Sequence, residues 1–597
     1  LFRSLLSISR AVLLAWYWAR VAPSDGVGFI LLQGVRFDLV LMGMILGPAL
    51  LAAPWVSGQK LSASLLRFYL VAATFFIVWV ELGTIPYIDQ YDTRPNYIYV
   101  EYLKYPREVF GMLFSAYGPL MLAVALIAIA LCVKTWWLSS GLVEASRRRS
   151  LAGAVLLTPL TAFVVFAMIR STTDHHPVNP STVAFTTDSM VNQLALNSPY
   201  TLVYAIYEQN RDSRRGWGNY GRMPDDEVLR TVVDAAGLTG KVDLQSATPT
   251  MHEQRATRRL ERPLNLIIVL EESMGAEFVG SLGGKDLTPN LDSLADEGIW
   301  FEQLYATGTR SVRGIEAIIS GFTPTIKRSV VKLAQTQNDF FSVARLLAER
   351  GYDTSFVYGG SAHFDNMGRF FLNNGFQTII DQDDFQTPEF VATWGVSDED
   401  LFNKAHEYFL QQQGRPFFSL VFSSSNHKPF EIPAGRVETR TGTDAAREMA
   451  VNYADYAMGE FLKKARASAY ADNTVFLIVS DHNSRVKGVN MIPVERFHIP
   501  GLIIGPGIEP RRVKGITSQI DLMPTLLSLI GIDSRHPAIG YDLTQPVYLD
   551  GAGRALMQFH DLQGWLVPGR LVVLQPGLPA RTFWYKPGEA LALDPDG

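Results

Sequence analysis

Hydrophobic positions are concentrated in the N-terminal part of the chain. About 20 consecutive apolar residues are needed to cross the hydrocarbon core of a membrane. Five stretches meet this requirement, at residues 2–20, 36–57, 65–85, 112–136 and 150–170. The first contains Arg3 and Arg10 and could be read as a signal peptide, but it shows no small-residue cleavage site ahead of a long polar region. The pattern therefore predicts five transmembrane helices.

The charges of the short loops predict how these helices are oriented. A basic run at 147–149 lies between the fourth and fifth spans, and Lys60 and Arg67 flank the connection between the second and third. Because cytoplasmic loops carry an excess of Lys and Arg, the loops at 58–64 and 137–149 are expected inside the cell. With five spans, an odd number, the N-terminus lies in the cytoplasm and the chain after about residue 171 lies outside it.

Two charged residues lie near the mouth of the second span. Arg36 and Asp38 are two positions apart in an otherwise apolar segment. They could serve a function, or they could form a pair that snorkels to the membrane interface. We expect the interfacial pair.

The pattern changes after the fifth span. Residues 171–261 are polar and irregular, with a helix expected around 186–207, and we interpret them as a linker along the membrane surface. From residue 262 onward, short β-rich runs alternate with helical patterns. The β-rich runs are 264–270, 353–359, 417–424, 474–480 and 501–505, and the helical patterns include 289–297, 340–350, 398–412, 444–467 and 521–530. Nearly continuous apolar strands between helices are typical of an α/β sheet covered on both faces. We therefore predict an α-helical membrane domain at 1–170 and an α/β domain with a central, mostly parallel sheet at 262–597.

Three of the predicted strands end in residues that can bind a metal ion or move a proton. In open α/β sheets, ligands gather at the carboxyl ends of the strands. The residues after these strands are Glu271, Glu272 and Ser273; Asp481 and His482; and Ser425, Asn426 and His427. Each could instead have a structural role, as a helix cap or a buried histidine. Together they form a mixed oxygen and nitrogen set that suits Mn²⁺, Mg²⁺ or Zn²⁺.

Composition narrows the class of protein. Hydrophobic residues make up 48% of the chain, charged residues 19%, and the net charge is −5. A negative net charge argues against a broad nucleic-acid-binding surface. Cys132 is the one cysteine in the sequence and lies within an apolar segment, so a disulfide framework, a zinc–cysteine cluster and a cysteine nucleophile are all excluded.

A hydroxyl-rich loop, ATGTRSVRGIEA at 306–317, precedes an apolar helical run. Thr307, Thr309 and Ser311 are candidate nucleophiles. The helix is expected to begin directly after Ser311, which makes Ser311 the N-cap, beside free N–H groups that favour a phosphoryl group. An ordinary capping serine is the alternative, although Gly314 stands where a capping box has Glu or Gln. Gly314 also leaves space for a phosphorylated side chain, so the pattern favours Ser311, with Thr309 second.

Several segments occur in the order found in the alkaline phosphatase/sulfatase superfamily. They are LNLIIVLEESMG, TPNLDSLADEGIWFEQLYATGTRSVRGIEAIISG, SDHNSR, IPGLIIGPGI and SQIDLMPTLLSLIGI. With WGVSDEDLF, FSSSNHKPF and five predicted spans, the chain resembles the lipoteichoic acid synthase-like and phosphoglycerol transferase group of that superfamily. The resemblance covers nearly the whole chain and is densest from 264 to 530.

The resemblance implies a role for each candidate residue. The implied metal ligands are Glu272, Ser311, Asp481 and His482. Glu272 is implied rather than Glu271 because a hydroxyl residue follows it.

The resemblance also implies substrate contacts. His427 would contact the transferred phosphate or the leaving group, and Asp365 would line the substrate pocket, with packing or capping as the alternative. Arg313 would offset phosphate charge, with a solvated helix-face arginine as the alternative. The group usually has Thr at the position of Ser311, and the Cys-x-Pro-x-Arg signature of sulfatases is absent from this sequence.

The implied activity is metal-dependent transfer of phosphoglycerol from phosphatidylglycerol to a hydroxyl of a glycan or glycerophosphate polymer, through phosphorylated Ser311. Mn²⁺ is the expected metal, with Mg²⁺ or Zn²⁺ as alternatives. The expected location is the bacterial cytoplasmic (inner) membrane, with the catalytic domain on the extracytoplasmic (periplasmic) side and no nucleic-acid partner. The alternatives are a phosphoethanolamine transferase, a membrane sulfatase or phosphodiesterase, and a non-catalytic regulator of cell-envelope assembly.

Overall fold

The structure is a computed structural model, and it contains two compact units. It describes residues 2–55, 60–102, 106–146, 151–172, 178, 180–183, 185–186, 188–215, 220–326, 328–333, 336–362, 364–484, 486–548 and 553–594. The first unit is Leu1–Gly216 with Lys487–Met491, and the second is Trp217–Val486 with Ile492–Gly597. The boundary between the two units falls within the expected linker at 171–261.

The first unit is helical. Its helices are α1 (Phe2–Trp16), α2 (Trp18–Val21), α3 (Val27–Ala52), α4 (Lys60–Gly83), α5 (Ile85–Tyr91), α6 (Tyr97–Tyr102), α7 (Pro106–Ser146), α8 (Leu151–Arg170), α9 (Ser189–Gln193) and α10 (Ser198–Arg215). Four stretches are long and apolar enough to cross a membrane, at Val27–Trp55, Leu61–Tyr91, Gly111–Ser140 and Ala152–Arg170. The first predicted span is a pair of helices bent by 80°, so the described residues give four spans, or five if that pair is counted as one.

A buried ion pair connects two helices of this unit. Arg10 of α1 donates two hydrogen bonds to Asp38 of α3, at 2.9 and 2.7 Å, and both side chains are buried. Arg36 instead donates to the backbone oxygen of Ser171 at 2.9 Å. The expected pairing of Arg36 with Asp38 is therefore wrong. Residues two apart on a helix lie on different faces, so each finds its partner on another segment.

The second unit contains twenty short strands. They are β1 (His252–Gln254), β2 (Asn265–Glu271), β3 (Ile299–Phe301), β4 (Leu304–Tyr305), β5 (Asp353–Tyr358), β6 (Thr378–Ile380), β7 (Val391–Ala392), β8 (Gly395–Val396), β9 (Phe417–Phe422), β10 (Thr474–Ser480), β11 (His498–Ile499), β12 (Gly501–Ile504), β13 (Arg511–Val513), β14 (Thr517–Ser518), β15 (Ser534–His536), β16 (Ala555–Phe559), β17 (Leu562–Val567), β18 (Arg570–Leu574), β19 (Arg581–Trp584) and β20 (Ala592–Leu593). These bounds and count refer to the described part of the chain.

The helices of the second unit are α11 (Asp225–Ala235), α12 (Pro289–Leu294), α13 (Ser311–Ser320), α14 (Val343–Ala348), α15 (Met367–Asn373), α16 (Asp398–Leu410), α17 (Ala445–Arg466) and α18 (Leu522–Leu529). Eight strands form the central sheet, in the order β13-β3-β12-β10-β2-β9-β5-β6. Within it, β12 pairs antiparallel with β10 and β3, and the remaining pairs are parallel. The predicted mostly parallel α/β sheet is confirmed.

Helices cover both faces of this sheet. On β2, Leu266, Ile268 and Leu270 face one hydrophobic core, while Ile267 and Val269 face the other. The first core includes residues of α13, α14, α15 and α18, and the second includes residues of α12, α16 and α17. Burial on both faces explains why these strands read as continuous apolar runs.

The C-terminal residues form a separate five-stranded sheet, which the sequence analysis does not assign. Strands β16 to β20 pair antiparallel in chain order. The backbone N–H of Gln558 on β16 donates to the backbone oxygen of Thr307 at 2.8 Å. This sheet therefore supports the loop that leads into α13.

Candidate active site

The ends of three adjacent strands bring the candidate residues together. Strands β10 and β2 run parallel with Ser480 opposite Glu271, so the residues that follow both strands emerge at one edge. Strand β9 pairs with β2 on its other side, with Phe422 opposite Leu270. The segment that carries His427 therefore leaves the sheet at the same edge.

Three side chains form a compact cluster at this edge. Glu272, Asp481 and His482 each offer one ligand atom, and these atoms lie within 4.8 Å of one another. His482 Nε2 is 3.5 Å from Asp481 Oδ2 and 4.0 Å from Glu272 Oε1. Ser311 Oγ donates a hydrogen bond to Glu272 Oε2 at 3.1 Å. All four residues expected to form the metal site therefore meet in one place.

The donor atoms of this cluster fit a divalent cation. Asp481 Oδ1 accepts the backbone N–H groups of Ser273 and His482, at 2.7 and 2.6 Å. The buried Oδ2 of Asp481 has no hydrogen-bond partner among the described residues. His482 Nδ1 is 2.8 Å from the backbone oxygen of Asn483, which can only accept, so the ring carries its proton there and keeps the Nε2 lone pair. An unsatisfied carboxylate oxygen beside such a nitrogen is the arrangement that a divalent metal binds.

The electrostatics of the cluster also favour a cation. Burial raises the pKa of Glu272, and the nearby Asp481 carboxylate raises it further. Burial raises the pKa of Asp481 to about 6. Burial lowers the pKa of His482, which keeps the imidazole neutral, the form that binds metals. Two buried carboxylates that repel each other are stabilised when a cation lies between them.

The neighbouring glutamate has a different environment. Glu271 accepts a hydrogen bond from Ser423 Oγ at 2.8 Å, and Ser423 Oγ accepts the backbone N–H of Glu272 at 2.9 Å. Successive residues of a strand point to opposite sides. Glu272 therefore joins the cluster, while Glu271 supports the backbone beneath it.

Helix α13 presents Ser311 at its first turn. The helix begins at Ser311 itself, because Arg310 has extended backbone angles (φ −144°, ψ 143°) and occupies the N-cap position. The expected N-cap position of Ser311 is therefore wrong by one residue. The hydroxyl of Thr307 donates to the backbone oxygen of Arg313 at 3.2 Å, within the core of the loop. Within the described residues, Ser311 is the one of the three candidate hydroxyls bonded to the cluster.

Gly314 has a different role from the one expected. A Cβ at this position would lie 2.4 Å from the backbone oxygen of Asp481 and 2.7 Å from its Cα. The space beside Gly314 is thus filled by the main chain of Asp481 and is not available to a phosphorylated side chain. The glycine allows α13 to approach the β10 strand end closely, which brings Ser311 to the cluster.

The arginine beside the cluster is Arg310, which the sequence analysis misses. Arg313 is buried, forms an ion pair with Glu316 at 2.7 Å and donates to the backbone oxygen of Thr325 at 2.7 Å. These contacts argue against a substrate-binding role for Arg313. The positive charge of Arg310 instead helps to lower the pKa of both His427 and His482. A positively charged residue directly before the candidate nucleophile in sequence is the signal that could have identified Arg310.

His427 lies beside this cluster in a neutral form. Its Nδ1 is 2.9 Å from the backbone oxygen of Lys428, so the proton resides there and Nε2 keeps a lone pair. Burial lowers the pKa of His427, and the Glu272 charge partly opposes this effect. The ring packs 4.2 Å from the ring of Trp394, whose Nε1 donates to the same Lys428 oxygen at 2.8 Å. His427 is thus held with a proton-accepting nitrogen near the site.

Asp365 forms its main polar contact with another residue of this chain. Its buried carboxylate forms an ion pair with Lys332 at 2.8 Å. This contact agrees with the packing alternative that the sequence left open, and it gives no direct support for a substrate contact.

Comparisons with known proteins agree with this fold and site. The family model described as Sulfatase matches residues 264–532. A crystal structure of a protein in the alkaline phosphatase superfamily from Vibrio parahaemolyticus is 50% identical, with a TM-score of 0.59, and the match covers 62% of this chain and 90% of that one. The lipoteichoic acid synthase LtaP from Listeria monocytogenes shares the fold, with a TM-score of 0.50 at 23% identity over 60% of this chain and 91% of that one.

Two relatives known by sequence carry names that describe an activity. Phosphoglycerol transferase I from Xanthomonas campestris pv. campestris is 26% identical over 316 residues, which is 50% of this chain and 45% of the relative. The lipoteichoic acid synthase-like YvgJ from Bacillus subtilis is 22% identical over 295 residues, which is 45% of this chain and 48% of the relative. The match therefore spans slightly less than half the length of either relative.

These findings define the class of protein. The chain belongs to the alkaline phosphatase superfamily, with a sulfatase-type α/β domain. Its predicted resemblance to the lipoteichoic acid synthase-like and phosphoglycerol transferase group is confirmed.

Proposed function

We propose that the protein is a membrane-bound, metal-dependent phosphoglycerol transferase. It would move the phosphoglycerol head group of phosphatidylglycerol to a hydroxyl of a glycan or a glycerophosphate polymer. The observation that carries this proposal is the hydrogen bond of Ser311 to Glu272, within a cluster that Asp481 and His482 complete. The name of the relative from Xanthomonas, phosphoglycerol transferase I, supports the choice of phosphoglycerol.

The proposed reaction has two displacement steps at phosphorus. In the first, Ser311 Oγ forms a bond to the phosphorus of the lipid head group while the bond from phosphorus to the diacylglycerol oxygen breaks. That oxygen leaves as diacylglycerol, with the proton that Ser311 releases. In the second, an acceptor hydroxyl oxygen forms the new bond to phosphorus, the bond to Ser311 breaks, and the serine is reprotonated.

Glu272, Ser311, Asp481 and His482 would hold the metal ion, with Mn²⁺ as our first choice and Mg²⁺ or Zn²⁺ as alternatives. A bound divalent ion supplies charge neutralisation for a phosphoryl oxygen and lowers the pKa of a neighbouring hydroxyl. The sulfatase-type fold supports this assignment, as does the unsatisfied Oδ2 of Asp481.

Two further residues have roles in the proposed reaction. His427 accepts the proton of the acceptor hydroxyl in the second step, because its Nε2 lone pair is available and its lowered pKa keeps it neutral near pH 7. Arg310, beside the first turn of α13, offsets the negative charge of the phosphoryl group. The free N–H groups of that turn favour the same anion.

The helical unit would anchor the protein in the membrane that contains its lipid donor. Its four or five apolar spans fit a membrane protein. We propose a bacterial cytoplasmic membrane location with the N-terminus inside and the catalytic unit outside. The basic run at 147–149, on which this orientation rests, lies outside the described residues.

Mass spectrometry of the trapped intermediate tests the proposal. The full-length protein with Mn²⁺ is mixed with phosphatidylglycerol, quenched in acid and digested. A glycerophosphate adduct on Ser311 is the expected result. An adduct formed only from phosphatidylethanolamine would indicate a phosphoethanolamine transferase, and adduct-free diacylglycerol release would contradict the covalent route.

A further inference from the structure

Gln519 connects the two segments that carry the candidate active-site residues. It begins the 3-10 turn Gln519–Asp521 that precedes α18 and is fully buried, with 0% of its surface exposed. Its side-chain Nε2 donates to the backbone oxygens of Ser480 and Asp481, at 2.9 and 2.7 Å. Its Oε1 accepts the backbone N–H of Thr307 at 2.9 Å. One amide thus joins the end of β10 to the loop that leads to Ser311.

The position of Gln519 is itself fixed by charged groups. Asp521, two residues later, accepts two hydrogen bonds from Arg554, at 2.8 and 2.9 Å, and the backbone N–H of Tyr541 at 2.7 Å. Asp521 also accepts the backbone N–H of Ser518 at 2.9 Å. The amide therefore projects from a braced turn, which suits it to set a distance between two loops.

The backbone of Asp481 contacts both Gln519 and helix α13. Gln519 binds its backbone oxygen, and the missing Cβ of Gly314 lets α13 lie against the same atoms, 2.4 Å from where that Cβ would be. Asp481 and Ser311 belong to segments far apart in sequence. The C-terminal sheet holds the loop before α13 through the bond from Gln558 N–H to the Thr307 oxygen. The bond from Thr307 N–H to Gln519 ties the same loop to the end of β10.

We propose that Gln519 is a positioning residue that fixes the spacing between Ser311 and the Asp481–His482 pair, and thereby sets metal affinity and turnover. It would act through the main chain, because its hydrogen bonds join backbone atoms of Thr307, Ser480 and Asp481. This inference rests on the proposed function for its effect on turnover, but its effect on metal affinity can be measured separately.

The test compares three substitutions in the full-length protein. Gln519→Met keeps the side-chain volume and removes all the amide hydrogen bonds, while Gln519→Glu keeps an acceptor for Thr307 and removes donors to the strand end. Gln254→Met is the matched control, because Gln254 is also buried and its amide donates to the Pro524 backbone oxygen, at 2.7 Å. Titration calorimetry with Mn²⁺ alone measures affinity, lipid head-group release measures kcat and KM, and a melting curve measures stability.

We expect both Gln519 variants to bind Mn²⁺ at least about tenfold more weakly than Gln254→Met, with kcat lowered and KM unchanged. A folded Gln519 variant that binds Mn²⁺ as tightly as the unmodified protein would overturn the proposal. Failure of both Gln519 variants to fold, with Gln254→Met folded, would make Gln519 a stability residue and would also overturn it. Loss of Mn²⁺ affinity in a protein whose unmodified form releases no head group would support the positioning role and contradict the proposed function.

Discussion

Ser311 Oγ donates a hydrogen bond to Glu272 Oε2 across 3.1 Å, although 39 residues separate them in sequence. A serine with a capping role would use its oxygen to accept a backbone N–H of the first turn. Here the hydroxyl proton points to a carboxylate of the cluster, and Arg310 holds the N-cap position without a side-chain cap. The contact therefore orients the hydroxyl toward the candidate metal site.

The two arginines of the α13 segment should behave differently when substituted. Arg313→Met should destabilise the protein by about 3–5 kcal/mol, because it leaves the buried Glu316 carboxylate without its partner. Arg310→Gln should lower kcat/KM by about 100-fold, because it removes charge beside the phosphoryl group. Melting curves and head-group release on both variants check this. A loss of activity in folded Arg313→Met as large as that in Arg310→Gln would refute the assignment.

Removal of metal should lower both activity and stability. Burial raises the pKa of both the Glu272 and the Asp481 carboxyl groups, and the Asp481 charge raises that of Glu272 further, so the two carboxylates are unfavourable without a cation. Mn²⁺ at about 100 times its Kd should stabilise the fold by about 2.7 kcal/mol over the chelated protein. Melting curves with EDTA and with added Mn²⁺ measure this shift.

The control for metal removal is Asp481→Asn, which should show little or no Mn²⁺-dependent shift. Turnover that continues in EDTA, with an unchanged melting temperature, would show that the cluster does not bind a functional metal.

Protonation of His427 should lower the rate of turnover at acidic pH, which gives the pH–rate profile an acid limb. Its neutral form accepts a proton, so activity is lost as the pH falls through its pKa, and burial places that pKa below the ordinary 6.5. At saturating Mn²⁺ and lipid donor, kcat/KM for the acceptor should therefore be constant above pH 6.5 and fall at lower pH. His427→Gln should lower kcat by about 10²- to 10⁴-fold and remove this limb, with Mn²⁺ affinity unchanged. If His427→Gln shows the same loss of activity at acidic pH, a group other than His427 causes that loss.

Sequence patterns predict the central sheet well because its strands are buried on both faces. The run at 474–480 coincides with β10, and the residues after β2, β9 and β10 meet at one edge as parallel strands require. The C-terminal sheet is missed because its short alternating strands, such as LQGWLV of β17, carry no motif that distinguishes them.

The predictions for Arg313 and for the pairing of Arg36 with Asp38 are wrong for the same reason. Arg313 and Arg310 flank the candidate nucleophile at similar distances in sequence, and only the phase of α13 against its neighbours decides which one is buried. Asp38 pairs with Arg10, 28 residues earlier, and not with the nearby Arg36. Partners on separate helices cannot be read from local spacing.

Head-group release by Ser311→Ala tests the central claim most directly. The full-length variant is compared with Thr309→Ala in detergent micelles that contain phosphatidylglycerol and Mn²⁺, with diacylglycerol as the measured product. We expect Ser311→Ala to be folded and to release none, because the covalent step has lost its nucleophile, while Thr309→Ala remains within about tenfold of the unmodified protein. Diacylglycerol release by folded Ser311→Ala at the unmodified rate would contradict the account.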